Sequence, residues 1–224
     1  MDMNKLLITS GCSNTDFRYH SYVKHNIKVW PNIVAEHSKR SLINVASYGA
    51  SNDLIENTIF DTVTKYKNHD CIIMVLWTDI YRLNIADGWN HRTLLRKDYE
   101  IKYKNLDFYK AMFEKFFRNM KRTKFICDHY GFPCYFRHGG WQTIKDRNIV
   151  SSLRDWLKNH PIQEEMNMSW MEILYGCISF PPDEYYLEGH PNNIAHQRIA
   201  NMFITETCDP IINTYWVEKD FVYD

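Results

Sequence analysis

The sequence predicts an α/β fold, a three-layer α/β/α sandwich in which helices cover both faces of a mainly parallel sheet. Three observations carry that expectation. Leu6-Leu7-Ile8, Ser41–Ala46 and Cys71–Leu76 are short, nearly continuous apolar runs, the pattern of strands buried on both faces. Each run stops in a cluster of small or polar residues: Gly11 to Thr15, Ser47 to Asp53, and Thr78-Asp79. Between the runs the apolar residues change to a helical period, as strand–helix–strand units require.

Taken in order, the opening run forms the first strand, and Gly11 just after it permits a tight turn. Val29, Trp30, Ile33, Val34 and His37 then recur at helical spacing, with Pro31 suited to a first turn. Ser41–Ala46 is the second strand. Leu54, Ile55, Ile59, Val63 and Tyr66 trace a second helix before the Cys71–Leu76 strand. Residues 82–105 have weak periodicity and read as a long insertion, a kind of segment that is often functional. Tyr109, Met112, Phe113, Phe116, Phe117 and Met120 form the strongest helical stripe in the chain, predicting a core-facing helix. Phe132–Phe136 reads as a fourth strand with Pro133 at its start, followed by a loop at His138-Gly139-Gly140-Trp141. Val150–Leu157 reads as a short helix and 161–187 as irregular apart from Trp170–Leu174. Asn193–Thr205 is the closing helix. No repeat or linker interrupts the 224 residues, so a single domain over 1–224 is expected, with insertions near 82–105 and 161–187.

Composition narrows the function. Lys plus Arg and Asp plus Glu both number 27, so no net field draws the chain to nucleic acid or anionic lipid. No apolar run approaches the ~20 residues that span a bilayer, and Leu6–Ile8 is too short for a signal core, so the expectation is a cytoplasmic or otherwise soluble protein without a signal peptide. The six cysteines are scattered without a CxxC pair and read as reduced thiols. The histidines show no paired metal spacing, so neither a metal nor a cofactor is expected.

Ligands of open α/β sheets bind beyond the carboxyl ends of the strands. The polar clusters therefore converge, bringing Ser13, Gly49, Asn52, Asp79 and His190 to one edge. Local residues leave two readings of Ser13: a helix cap, or a nucleophile presented by a strand-to-helix turn. A serine nucleophile needs a base, an acid to orient that base and donors for the oxyanion, and the chain can supply each.

Gly11-Cys12-Ser13-Asn14-Thr15 resembles the first block of the SGNH (GDSL-like) hydrolases, with Cys12 where the family has aspartate. Asn44 to Asp53 resembles the second block, and His190-Pro191-Asn192 before the last helix resembles the final one. The resemblance implies a flavodoxin-like sheet and a cofactor-free serine esterase. It assigns Ser13 as nucleophile and His190 as base, with an oxyanion hole from the N–H groups of Ser13 and Gly49, helped by Asn52. Two departures stand out. Trp77-Thr78-Asp79 occupies the third block, where the family has an asparagine donor. Ionised Asp79 cannot donate, which leaves Asn52 or the Thr78 hydroxyl as replacements, unless Asp79 is protonated. Leu187 stands where the family's acid usually lies, which leaves Glu188 as the triad acid and Asp183 as a second choice. Thr78, Asp79 and Arg82 are candidate substrate-binding residues.

The expected partner is a small-molecule or glycan ester, with neither nucleic acid nor membrane. The aromatic insertion and the His138–Trp141 loop favour O-acetylated carbohydrate, because sugars stack on exposed rings. An O-acyltransferase using the same serine is one alternative. A catalytically degenerate domain serving as a binding or structural module, including one in a viral particle, is another.

Overall fold

The computed structural model describes residues 4–16, 18, 27–80, 82–87, 90–94, 105–139, 144, 146–177, 186–187 and 190–205, with backbone alone for 83–87, 90–94, 186–187 and 190. Four parallel strands form the central sheet: β1 (Lys5–Gly11), β2 (Ser41–Asn44), β3 (Asp70–Trp77) and β6 (Cys134–His138), in the order β2-β1-β3-β6. This is the flavodoxin-like order, with β1 and β3 central.

Strand parity divides the core. Side chains alternate across a sheet, so Leu6 and Ile8 of β1 and Ile73, Val75 and Trp77 of β3 enter one apolar cluster. Leu7, Met74 and Leu76 enter the other. On the first face pack α2 (Asn52–Lys65), α3 (Leu106–His129), α4 (Arg147–Lys158) and α6 (Trp170–Tyr175). On the second pack α1 (Trp30–Ser38) and α7 (Asn193–Thr205), joined by Trp30 stacked on Phe203 at 4.5 Å between ring centroids. The result is the three-layer sandwich that the apolar runs require.

The helix signals carry through locally. Pro31 lies in the first turn of α1, where its missing N–H costs nothing. Ser51 caps α2 by accepting the Leu54 N–H at 3.3 Å. The predicted stripe of α3 is its buried side: Tyr109, Phe113, Phe116, Phe117 and Met120 are all covered. Two segments differ from expectation. The 82–105 insertion contains an antiparallel pair, β4 (Leu83–Asp87) with β5 (Asn90–Leu94). The 161–187 region contains α5 (Ile162–Met166) as well as α6, separated by Asn167 in a left-handed conformation that ends α5. A short pair, β7 (Tyr186–Leu187) with β8 (His190–Pro191), leads into α7. Cys12, Cys71, Cys127, Cys134 and Cys177 are free thiols, and among the described residues no helix is long and apolar enough to cross a membrane.

Candidate active site

Because β1, β2 and β3 are parallel, their carboxyl ends lie at one edge of the sheet, and the loops leaving them are tied directly together. The first loop turns at once, with the N–H groups of Thr15 and Asp16 both bonded to Cys12 O at 2.9 and 3.1 Å. Ser13 therefore sits on a tight turn immediately beyond β1. Gly11 is required there: a Cβ would lie 2.2 Å from Thr15 Oγ1 and 2.9 Å from Leu76 O. Cys12 enters the core, as expected for a structural thiol. Ser13 is itself only 3% exposed, so the turn presents it within a covered edge of the sheet instead of on an open surface.

The second loop is fastened to the first at several points. Ser47 N–H donates to Gly11 O at 3.2 Å, and Asn44 Nδ2 donates to Thr15 O at 2.7 Å. Buried Asp16 accepts from Tyr48 N–H at 3.2 Å and from Arg18 Nε at 2.9 Å, while Arg18 Nη2 donates to Ala46 O at 2.6 Å. The paired carboxylate raises the Arg18 guanidinium further above its ordinary value. Gly49 follows at φ +70°, a left-handed conformation that favours glycine. Its neighbour Tyr48 is 63% exposed.

The third loop is locked through Asn52, the first residue of α2. Asn52 Oδ1 accepts the Thr78 N–H at 3.0 Å and Nδ2 donates to Thr78 O at 3.1 Å. This two-point clasp joins the second and third sequence blocks and uses one of the two hydrogens on Nδ2. Arg82 Nη1 adds a bond to Ala50 O at 3.3 Å, and Arg82 N–H closes a turn on Asp79 O at 3.2 Å. The start of α2 is fixed against α3 by Asp53 with Lys115 at 2.6 Å, and by Asn119 with Asp53 and Glu56 at 3.1 and 2.7 Å. Burial pushes the Glu56 carboxyl up, opposed by Arg122 at 2.9 Å and by the Asn119 bond.

The structure thus brings Ser13, Gly49, Asn52, Thr78, Asp79 and Arg82 to one edge. His190 enters through its backbone in β8, three residues before α7. Glu188, Asp183 and the Gly140-Trp141 part of the predicted sugar-facing loop lie outside the described residues. His138, expected at the start of that loop, instead ends β6 with its ring fully buried. Burial lowers its pKa to about 4, against the opposing pull of backbone carbonyls. Sequence reading missed its position next to Thr78. The signal was the unbroken apolar run Phe132–Phe136, which carries the strand far enough to bury the residues after it.

No family model matches the sequence, and no curated protein matches it. Solved structures do match the fold. TesA is similar at a TM-score of 0.53 and 10% identity, over 90% of this chain and 97% of that one. A catalytic mutant of the acetylxylan esterase Axe2 from Geobacillus stearothermophilus is similar at 0.54 and 12%, over 92% and 95%. A protein described as lipolytic and of the G-D-S-L family, from Desulfitobacterium hafniense, is similar at 0.51 and 12%, over 91% and 99%. The chain therefore has the α/β fold found in the SGNH (GDSL-like) hydrolases.

Proposed function

We propose that this chain is a serine ester hydrolase of the SGNH type. The observation that carries the reading is the hydrogen-bonded fastening of the three loops that carry Ser13, Gly49 and Asn52 at one sheet edge. In this mechanism His190 takes the Ser13 hydroxyl proton as Oγ attacks the acyl carbonyl, with Glu188 orienting the imidazole. The oxyanion rests on the N–H groups of Ser13 and Gly49 and on the second Nδ2 hydrogen of Asn52. Collapse of the adduct expels the alcohol, which takes the proton back from His190. Water then enters by the same route and releases the acid. Asn52 takes over the task of the missing third-block asparagine, because its clasp on Thr78 places an amide at that strand end.

The favoured substrate is an O-acetylated carbohydrate. Exposed Tyr48, one residue from Gly49, supplies a ring on which a sugar can stack, and an acetylxylan esterase shares the fold. Purified protein is expected to hydrolyse p-nitrophenyl acetate and to release acetate from acetylated xylo-oligosaccharides, with Ser13→Ala and His190→Ala each abolishing both. Unchanged hydrolysis in either variant contradicts the mechanism.

A further inference from the structure

His138 ends β6, the strand that borders β3 on the side away from β1. Its ring is fully buried and packs on Phe116 at 5.0 Å between centroids. The main chain is held on all sides. His138 N–H donates to Glu172 Oε1 at 3.0 Å, its carbonyl accepts the Cys177 N–H at 2.6 Å, and the next residue, Gly139, donates to Trp77 O at 2.8 Å. So fixed, the ring places Nε2 3.2 Å from Thr78 O and Nδ1 3.1 Å from Glu172 O.

Thr78 follows the last residue of β3, so its peptide has left the sheet ladder, and side chains take the place of ladder partners. Asn52 holds the N–H and shares the carbonyl, and the second hold on that carbonyl comes from His138. With a pKa near 4 the ring is neutral at neutral pH and carries one N–H, which it can give to one carbonyl only. Glu172 O already accepts a 2.8 Å bond from Gly176 N–H, whereas the Asn52 bond to Thr78 O is longer, at 3.1 Å. The proton therefore does more on Nε2, facing Thr78.

We propose that His138 is a positioning residue of this site, donating from Nε2 to Thr78 O and so holding the Asn52 amide where it meets the oxyanion. The role rests on the esterase reading above, because Asn52 acts as a donor only if that reaction occurs. His138 acts through Thr78, and its loss displaces a donor without removing one.

The test compares His138→Gln, whose side-chain N–H₂ can reach the place of Nε2, with His138→Asn, whose shorter amide reaches only that of Nδ1. On p-nitrophenyl acetate, His138→Asn is expected to lose roughly tenfold or more in kcat with KM within about twofold, since small misplacements of a catalytic group are costly. His138→Gln should keep kcat within about threefold while melting at the same temperature as His138→Asn. Nitrogen-15 NMR of the wild-type imidazole should show the neutral Nε2–H tautomer. Equal kcat losses in the two variants, a loss confined to KM, or an Nδ1–H ring overturns the proposal. The ring spectrum requires no variant to fold. If the wild type proves inactive on esters, the esterase reading fails separately. Thr78 amide exchange then decides the positioning: it should be faster in His138→Asn than in His138→Gln, and equal rates overturn the hold.

Discussion

Replacing Asn52 with alanine removes both halves of the clasp on Thr78, and the structure sets what that should cost. The two lost hydrogen bonds are each worth about 0.5–1.5 kcal/mol net. The Thr78 N–H is then left buried without its partner, a further cost of about 1–3 kcal/mol, while Thr78 O keeps the His138 ring at 3.2 Å. Allowing for overlap between these terms, the loss is roughly 2–4 kcal/mol. For a chain of this length that lowers Tm by about 4–16 °C. If the second Nδ2 hydrogen also meets the oxyanion, kcat falls by ~10²–10³ on top of the stability loss. The assay pairs thermal melting with steady-state hydrolysis of p-nitrophenyl acetate well below Tm. Asn119→Ala serves as the control, because it cuts buried bonds to Asp53 and Glu56 on the same helix pair without touching Thr78. The expected outcome is a lowered Tm in both variants and a collapsed kcat in Asn52→Ala alone. A kcat that falls equally in both, or survives in Asn52→Ala despite the lowered Tm, refutes the assignment of Asn52 as donor.

Two further outcomes follow from single residues. Gly11→Ala forces a methyl against the Thr15 side chain and Leu76 O, and Thr15 cannot yield freely because its Oγ1 accepts the Trp30 Nε1–H at 3.2 Å. An overpacking loss of about 1–3 kcal/mol is expected, read by urea unfolding, and an unchanged midpoint would show that the turn has room. His138 sets a pH dependence. The unfolded imidazole protonates near its ordinary pKa of about 6.5 and the folded one near 4, so its stability contribution is complete above about 6.5 and is lost as pH falls towards 4. Between pH 7 and 4.5 the wild type should therefore lose about 2–3 kcal/mol more than His138→Gln, in which the carboxylates titrate alike. Equal losses would mean that the ring protonates as readily in the folded state as in the unfolded one.

The fold was legible where a pattern repeats and illegible where contacts come from far along the chain. The continuous apolar runs Leu6-Leu7-Ile8 and Cys71–Leu76 marked strands covered on both faces, and the two core clusters divide the same residues by parity. The stripe from Tyr109 to Met120 marked the buried face of α3 because it runs for more than three turns. α5, with five residues, is too short to show any period, and its end depends on the left-handed Asn167. In the site, Gly49 could be read from its turn-like neighbours. Gly11 was read as permitting the turn, but the crowding that requires it, from Thr15 Oγ1 and from Leu76 O across the sheet, emerges only from the packing. The Asn52–Thr78 clasp spans 26 residues and the His138–Thr78 contact spans 60, and neither leaves a local trace. Residue types at strand ends thus pointed to Ser13 and Asn52, while the groups that hold them still emerged only from packing.

The most direct measurement is covalent labelling of the purified protein with a fluorophosphonate probe, followed by peptide mass spectrometry. On the esterase reading Ser13, on its tight turn beyond β1, should be labelled, and the label should vanish in Ser13→Ala. A wild-type protein that stays unlabelled at Ser13 under conditions that label a known serine esterase would contradict the catalytic reading and leave the frame of loops as a binding or structural module.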